Sequence, residues 1–229
     1  MTLNGWDVIR HEVLRRIRVG EWPQGTMIPS EVDLAREFGC ARATVNRALR
    51  ELAAAGVLER RRRAGTRVAA LPVRKATLDI PVIRQEVEAR GQTHGFRLLA
   101  MRTDTAPVPV ASRLGLPPGA PLIWLDTLHL ADGQPFVHET RWLNPAVLPK
   151  TLPDFGQISA NEWLVMQVSY TRGDIAFSAA AATPREAEVL GVPQGTPLFI
   201  TERTTWLFDA PITLVRLAHV PGYRVQTVM

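Results

Sequence analysis

The sequence contains one cysteine, Cys40, among 229 residues, and it has no long run of apolar residues. A single cysteine excludes an intrachain disulfide framework and is typical of a reducing compartment. A membrane-spanning helix needs about 18 consecutive apolar residues, and no segment of this sequence approaches that length. Charged residues interrupt the N-terminus before the apolar segment of a signal peptide forms. We therefore expect a soluble cytoplasmic protein with no membrane partner.

The sequence also lacks the local motifs of common catalytic sites. It contains no Gly-x-Ser-x-Gly elbow, no phosphate-binding Walker loop and no His-Glu-x-x-His metal motif. The cysteine pairs of a zinc finger are absent, and His129, His138, Glu139 and His219 do not follow the spacing of a known metal site. We predict that the protein is not an enzyme and that it uses no metal or cofactor.

Positive charge is concentrated in the first third of the chain. Residues 1–75 carry 15 Arg and Lys against 8 Asp and Glu, whereas residues 76–229 carry 12 against 14. The whole chain has a formal net charge of +5. This asymmetry predicts a module that binds a polyanion, either nucleic acid or an acidic membrane surface, followed by a module with another role.

The basic segment has the hydrophobic spacing of three helices. Apolar residues recur at helical spacing from Trp6 to Ile17, and Ser30 followed by Asp33 is typical of a second helix start. After a short connection at Gly39, a third helix is predicted over about residues 43–54. Two helices joined by a tight turn predict a helix-turn-helix. The polar residues that the last helix exposes to DNA would be Thr44, Asn46, Arg47 and Arg50.

A short hairpin is predicted directly after these helices. Residues 57–60 and 65–68 have the pattern of two strands, and four consecutive arginines, 60–63, stand at their turn. An isolated arginine run is more often a solvated turn than a binding element. Behind a helix-turn-helix, however, guanidiniums at the tip of a wing are suited to DNA phosphates or to the minor groove.

The remainder of the chain contains an internal repeat. A helix is predicted from Pro81 to Arg90, and the segment 114–122 then recurs at 190–198 with an offset of 76 residues. Each copy is predicted as a helix, a Leu-Gly turn and two strands, namely 122–130 with 136–142 and 198–207 with 212–220. A further short helix is predicted after Ser159. Two such copies suit a pseudo-symmetric antiparallel sheet with helices packed on it, which is an α+β fold.

The basic segment resembles the N-terminal winged helix-turn-helix of GntR-family transcriptional regulators. The motifs that carry the resemblance are Ile28-Pro29-Ser30-Glu31, Leu34-Ala35, Phe38-Gly39, Thr44-Val45-Asn46-Arg47-Ala48-Leu49, Leu52, Gly56 and Gly65-Thr66. The stretch 44–52 is most similar to the HutC branch, the histidine-utilisation repressors. The chain departs from the family at three positions. Val32 stands where Arg is usual, Ala41 where Ser or Thr is usual, and Arg63 where Gly is usual. The resemblance implies DNA contacts at Ser30, Arg42, Thr44, Asn46, Arg47, Arg50, Arg61, Arg62, Arg63, Gly65 and Thr66.

The second module resembles the UTRA effector domain, whose fold is similar to that of chorismate lyase. The matching segments are His129–Pro135, Glu139, Arg141–Pro145, Glu162–Leu164, Arg203–Trp206, His219 and Tyr223-Arg224. The resemblance implies a winged helix-turn-helix at residues 1–70, a linker at 71–80 and a UTRA domain for effector binding and dimerisation at 81–229. It also implies a homodimer that binds a palindromic operator.

Alternation along the predicted strands indicates a polar pocket on one face of the sheet. Thr127 and His129 share a face of one strand, as Glu139 and Arg141 do on its partner. Relatives that bind phosphosugars have Arg at the positions of Thr127 and His129, so the resemblance implies a less anionic ligand. Four tryptophans, Trp124, Trp142, Trp163 and Trp206, are expected near these polar residues. In the alternative interpretation, the tryptophans belong to the core and Glu139 with Arg141 is a surface pair. The candidate effector residues are Thr127, His129, Glu139, Arg141, Asn161, Trp163, Arg203, Thr213 and His219.

The resemblance predicts a repressor of histidine-utilisation genes that leaves its operator when urocanate binds. On this interpretation Arg141 or Arg203 binds the carboxylate of urocanate, Glu139 and His129 bind its ring nitrogens, and Trp163 stacks on its plane. One alternative is a regulator of the same kind that responds to another small metabolite. The other is a small-molecule enzyme with a basic accessory domain. Specific, salt-sensitive binding to an operator separates the regulators from the enzyme.

Overall fold

The computed structural model describes residues 5–18, 20–61, 65–69, 82–168 and 170–225. The N-terminal part contains three helices and a two-stranded hairpin, and the C-terminal part contains a six-stranded sheet with helices on both faces. The predicted linker 71–80 and Pro81 lie outside the described residues. Within those residues, no helix is long and apolar enough to cross a membrane.

The N-terminal part has the three helices that the sequence predicted, and they share one apolar core. They are α1 (Trp6–Arg18), α2 (Glu31–Phe38) and α3 (Arg42–Ala54). The Ser30 hydroxyl accepts a hydrogen bond from the Asp33 N–H and caps α2, and Gly39 ends α2 at φ +65°. The buried residues that form the core include Ile9, Val13, Leu34, Phe38, Val45, Ala48, Leu49 and Leu52.

A two-stranded wing follows α3, as predicted. β1 (Leu58–Arg61) pairs antiparallel with β2 (Gly65–Val68). Gly65 has φ +85°, a left-handed conformation that residues with a side chain rarely adopt, so this position favours glycine. The parts of the predicted arginine cluster that lie outside the described residues are Arg62, Arg63 and the side chain of Arg61.

The C-terminal part is built on one antiparallel sheet. Its elements in chain order are α4 (Ile83–Ala89), β3 (His94–Thr105), α5 (Val108–Leu114), β4 (Pro121–Ala131), β5 (Gln134–Leu143), α6 (Ala160–Gln167), β6 (Arg172–Ala181), α7 (Pro184–Leu190), β7 (Pro197–Leu207) and β8 (Ala210–His219). The strands lie in the order β3-β4-β5-β8-β7-β6. The predicted α+β class with an antiparallel sheet is therefore confirmed.

The two repeat copies form the two halves of the sheet. β3, α5, β4 and β5 make the first half, β6, α7, β7 and β8 make the second, and β5 meets β8 at the centre. In each half the helix ends at a glycine with positive φ, Gly115 or Gly191, as the Leu-Gly turns predicted. The sequence pattern missed the first strand of each copy. β3 and β6 are edge strands that are largely exposed on both faces, so no alternation of apolar residues marks them.

The helices divide between the two faces of the sheet. α4 and α6 pack on the face that carries odd-numbered residues of the central strands, such as Leu125, Val215 and Leu217. α5 and α7 pack on the opposite face, which carries Leu128 and Trp142. All candidate effector residues on the strands are odd-numbered, so they share the face under α4 and α6.

Candidate functional site

The outer face of α3 is cationic and open to solvent. Arg47 and Arg50 are exposed, and Thr44 and Asn46 are half-buried. The Arg47 guanidinium lies over the Trp6 ring, with Cζ 4.5 Å from the ring centroid. Such stacking covers the face of the guanidinium and leaves its N–H edges free for an acceptor. The face can therefore present arginine edges to the major groove of DNA.

Glu31, which no sequence pattern singled out as functional, connects α2 to α3 and to the wing. Its carboxylate accepts hydrogen bonds from Arg42 Nε at 3.1 Å and from Asn46 Nδ2 at 2.6 Å, and it pairs with Arg60. Burial acts to raise the pKa of Glu31, but the hydrogen bonds from Asn46 and Arg42 hold that pKa below its usual range. One charged carboxylate thus fixes three side chains that can contact DNA.

An open groove runs between α2, the start of α3 and the wing. Ser30 lies at its edge, where its hydroxyl donates a 2.6 Å hydrogen bond to Asp33 Oδ2 in addition to capping α2. The polar and small residues that line the groove are Ser30, Glu31, Arg42, Arg60, Gly65 and Thr66. The structure therefore brings four of the predicted DNA-contacting residues, from three separate segments, to one surface.

On the sheet, the strand register brings the two candidate arginines into one row. Arg141 on β5 and Arg203 on β7 both pair with Val215 on the intervening strand β8. Because the residues of such a row point to the same face, both guanidiniums project toward α6. Both side chains are buried, as are all nine candidate effector residues.

A chain of buried polar contacts leads from β3 to the Arg141 side of this row. His94 Nε2 lies 3.2 Å from His129 Nδ1, and His129 Nε2 lies 3.4 Å from Glu139 Oε2. Arg141 Nε donates to Glu139 Oε1 at 2.6 Å, and Arg141 Nη1 lies 3.4 Å from the Thr213 hydroxyl oxygen. Glu139 and Arg141 therefore form a buried ion pair, and the surface-pair alternative for them is wrong.

Arg203 is a buried cation that makes no direct ion pair within the described part of the chain, and the Glu139 carboxylate that attracts it is already paired with Arg141. It is 4% exposed, and its Nε reaches no acceptor among the described residues. Burial, followed by the nearby Arg141 guanidinium, lowers the pKa of Arg203 to about 9, which leaves it charged at neutral pH. Burial opposes ionisation of Glu139 as well, but Arg141 and His129 hold the pKa of that carboxyl far below its usual range. Two buried guanidiniums therefore share one carboxylate.

Two of the histidines near this ion pair, His94 and His219, add no charge to it. Burial lowers the pKa of His94 to about 4 and that of His219 to about 3, so both rings are neutral at neutral pH. His219 also stacks on Tyr223, with 3.8 Å between the ring centroids. The row of Arg141 and Arg203 therefore has two guanidiniums beside one carboxylate, that of Glu139.

A small cavity of about 20 Å³ lies between α6 and this row of the sheet. Three of the candidate effector residues line it, namely Arg141, Arg203 and Thr213. The other lining residues are Leu164, Val165, Val168, Tyr170, Thr205 and Ile212. A volume of this size holds about one water molecule. A larger ligand therefore needs α6 to move away from the sheet.

The two candidates on α6 do not face the cavity. Asn161 Oδ1 accepts a 3.0 Å hydrogen bond from the Ile83 N–H at the start of α4, which is a structural contact between two helices. Trp163 packs edge-to-face against Phe155, with 5.7 Å between the ring centroids. Leu164 is one of the α6 residues that contact the cavity instead.

The candidates on β4 and at the end of β8 also lie away from the cavity. Thr127 and His129 belong to β4, which is separated from β7 by β5 and β8. His219 is paired with Phe199, six residues along β8 from Thr213. The sequence could have suggested the lining residue Thr205, because it is two residues from Arg203 on the same strand and therefore points to the same face. No sequence signal places Tyr170 at the cavity. In the described ranges, no three His, Cys, Asp or Glu side chains are grouped so that they could hold a metal ion.

Two family models match the two parts of the chain. The model described as "UTRA domain" matches residues 89–224, which span the whole sheet and the helices α5 to α7. The model described as "Bacterial regulatory proteins, gntR family" matches residues 7–68, which span the three N-terminal helices and the wing.

Similar proteins cover both parts together. The chain is 33% identical over 217 residues to a histidine utilization repressor of Pseudomonas putida, an alignment that covers 94% of this chain and 87% of the relative. It is 30% identical over 224 residues to a histidine utilization repressor of Klebsiella aerogenes, with 96% and 92% covered. The crystal structure of PhnF from Mycobacterium smegmatis is similar with a TM-score of 0.55 at 28% sequence identity, and the match covers 96% of this chain and 98% of that chain.

Proposed function

The chain belongs to the GntR family of bacterial regulatory proteins, in the HutC branch with a UTRA domain, and on this premise we propose that it represses histidine-utilisation genes and that urocanate releases it from its operator. Membership of this family makes the chain a DNA-binding transcriptional regulator and not an enzyme. The target genes are proposed because two relatives named as histidine utilization repressors are similar over more than nine-tenths of this chain.

The effector proposal rests on the buried Arg203 guanidinium next to Arg141. Its burial is costly, because its loss of hydration is offset only in part by the Glu139 carboxylate, which already pairs with Arg141. A carboxylate in the cavity would supply the missing negative charge and could accept two parallel hydrogen bonds from a guanidinium. We therefore propose that the effector is a small carboxylate that binds between Arg203 and Arg141.

The remaining parts of urocanate match the surroundings of these arginines. Its imidazole nitrogens could hydrogen-bond with Glu139 and His129, which lie on the same face of the sheet. Its flat conjugated body would contact Leu164 and Ile212, which line the cavity. Trp163 points elsewhere in this structure, so we propose that aliphatic side chains of α6, rather than this indole, cover the ligand.

Entry of urocanate would move α6, and α6 touches the DNA-binding part. The side-chain amide of Gln24 donates a 3.3 Å hydrogen bond to the backbone oxygen of Gln167, the last residue of α6. A groove between the two parts is lined by Leu14 and Val57 on one side and by Trp163 and Leu207 on the other. A ligand that lifts α6 would disturb this contact, which supports release of the operator as the response.

We propose that the DNA interface consists of the groove, the outer face of α3 and the wing. The residues assigned to it are Ser30, Arg42, Thr44, Asn46, Arg47, Arg50, Arg61, Arg62, Arg63, Gly65 and Thr66. The groove and the exposed arginines of α3 support this assignment. The three wing arginines are assigned from charge and sequence position.

We also propose a homodimer on a palindromic operator, in keeping with the two-fold symmetry of helix-turn-helix dimers. β6 is an edge strand with an unpaired backbone edge, and its Phe177 is 47% exposed, so a second chain could pair there. The proposed domain boundaries are 1–70, 71–80 and 81–229, and we expect the protein to act on DNA in the cytoplasm.

The effector proposal is tested by following operator release from the purified protein by fluorescence anisotropy. Urocanate is expected to dissociate the complex, whereas histidine should be weaker because its ammonium group would lie near Arg203 and Arg141. Glucosamine 6-phosphate should have no effect, since Thr127 and His129 replace the arginines of phosphosugar-binding relatives. If urocanate is inactive up to millimolar concentration and another ligand dissociates the complex, the urocanate assignment is wrong and the regulator remains.

A second prediction concerns the wing. Replacing Arg61, Arg62 and Arg63 together with Gln should weaken binding to any DNA, because phosphate contacts are independent of sequence. A plot of log affinity against log salt concentration should become flatter by about 0.9 for each lost phosphate contact. Arg102→Gln, on the sheet, serves as the control and should leave the slope unchanged. A triple variant with the wild-type slope would mean that the wing does not contact the DNA backbone.

A further inference from the structure

Aromatic rings and guanidiniums alternate across the contact between the sheet and the DNA-binding part. The Arg10 Cζ atom lies 4.5 Å from the centroid of the Phe208 ring and 5.4 Å from that of the Trp6 ring. The Arg47 Cζ atom lies 4.5 Å from the same Trp6 ring. All three distances are within the roughly 6 Å over which a cation is attracted to a ring. We call Phe208, Arg10, Trp6 and Arg47 the stack.

Local structure places each member of the stack. Trp6 and Arg10 are one helical turn apart on α1, so their side chains are neighbours. Phe208 stands at the turn between β7 and β8, where it adopts φ +55°, a left-handed conformation that is unfavourable for a bulky residue. Its N–H donates a 2.6 Å hydrogen bond to the Thr171 hydroxyl. The strained turn is thus held in a position where the Phe208 ring packs against the N-terminal core.

Trp6 restricts the side chain of Arg47, which is the α3 residue best suited to hydrogen-bond with a base. A guanidinium that stacks by its face keeps its N–H edges available, and a bidentate contact to guanine uses those edges. Fixing the plane of the guanidinium before binding lowers the entropy lost when the contact forms. Trp6 is therefore a positioning residue for Arg47.

Through Arg10, the position of the Arg47 guanidinium depends on the C-terminal sheet. It lies nearer to the Phe208 ring than to the Trp6 ring, and its Nε has no hydrogen-bond partner among the described residues. If Phe208 moved away, Arg10 would have only the Trp6 ring as an aromatic partner. Arg10 and Arg47 would then compete for one ring while repelling each other as like charges. The order of Arg47 therefore depends on where Phe208 lies.

We propose that Phe208, through Arg10 and Trp6, couples the position of the β7–β8 turn to base reading by Arg47. The turn is well placed for this role, because β7 also carries Arg203 and Thr205, which line the cavity. A shift of this strand pair would change the order of Arg47 without any direct contact between the ligand and the DNA-binding part. The proposal rests on operator binding as proposed above, but it does not depend on the identity of the effector.

The test uses the full chain without any effector. A duplex that the wild type selects from a randomised pool serves as the operator, and a shuffled duplex serves as random DNA. Trp6→Leu and Phe208→Leu should each lower the ratio of operator affinity to random-DNA affinity by about fivefold, the loss expected for one ring–cation contact. Neither should change binding to random DNA. In an Arg47→Ala background, Phe208→Leu should have no further effect on the ratio.

Two further variants separate the proposal from a loss of structure. Phe208→Tyr keeps a ring and should restore the wild-type ratio. Trp124→Leu removes a ring that lies 3.7 Å from the Arg102 Cζ atom and packs in the cluster under α5, and it should leave the ratio unchanged. An unchanged ratio in Phe208→Leu, or an equal further loss in the Arg47→Ala background, would overturn the coupling. If the wild type selects no sequence at all, the proposed operator binding fails as well, which distinguishes that failure from a failure of the coupling alone.

Discussion

Replacement of Arg203 with Met is expected to impair effector-driven release of the operator strongly and to raise the melting temperature of the unliganded protein. The two effects have one cause. Arg203 is a buried cation that makes no direct ion pair in the described chain and whose Nε has no acceptor there, so its burial costs free energy until an anion binds. Methionine fills a similar space without a charge and leaves the pair between Arg141 and Glu139 intact.

The expected magnitudes are large enough to measure. Removing the unpaired charge should increase the free energy of unfolding by about 1–3 kcal/mol, within the range found when buried charges are replaced by apolar residues. Loss of one partner of a buried, hydrogen-bonded charge pair costs about 2–5 kcal/mol of binding, so the effector concentration needed for release should rise at least about 30-fold. Thermal unfolding and operator-release titrations measure the two quantities separately.

A matched arginine on the surface provides the control. Arg113 donates a 2.7 Å hydrogen bond to Glu202 near the surface, where both side chains are about one-third exposed. Such pairs contribute little, so Arg113→Met should change neither stability nor release appreciably. A lower melting temperature for Arg203→Met, together with normal release, would show that Arg203 is neutralised within the protein and is not the anchor of the effector.

Much of the fold was predictable because local signals and tertiary structure agree. Ser30 and Gly39 mark the ends of α2 through side-chain and backbone chemistry that operates within a few residues. The repeat at an offset of 76 residues indicated two equivalent halves, and the sheet consists of them. The edge strands β3 and β6 were missed, because strand periodicity appears only where one face is buried and the other is not.

The proposed effector site was predictable only in part, because it depends on contacts between distant segments. Alternation indicated that Arg141 and Arg203 belong to one face, but their common row exists because β8 pairs with both strands. The sequence could not show which turn of α6 covers that row, so Trp163 was expected in the pocket and Leu164 was not. Trp124 and Trp142, two tryptophans expected near the pocket, lie together on the opposite face.

Replacement of Glu31 with Gln is expected to strengthen binding to random DNA and to weaken binding to the operator. The carboxylate is a negative charge beside the proposed DNA-binding surface, so its removal should favour any DNA. The same carboxylate fixes the side chains of Arg42, Asn46 and Arg60 by hydrogen bonds or ion pairs. A neutral amide has one acceptor oxygen and no charge, so it cannot hold all three in place.

The expected loss of specificity follows from the contacts that become disordered. One well-placed side chain contributes about 1–3 kcal/mol of discrimination between bases, so the ratio of operator to random-DNA affinity should fall by about tenfold or more. Glu37→Gln is the matched control, because Glu37 is an exposed carboxylate on the same helix that pairs with Arg16 of α1. It removes the same charge from α2 without touching α3 or the wing, and should leave the ratio unchanged.

Anisotropy measurements at two salt concentrations distinguish the possible roles of Glu31. If Glu31→Gln strengthens binding to both duplexes equally, Glu31 only opposes the phosphates by its charge. If it weakens the operator complex while random DNA binds at least as tightly as before, the carboxylate acts by ordering Arg42, Asn46 and Arg60, and the reading of DNA then depends on a residue that need not touch a base.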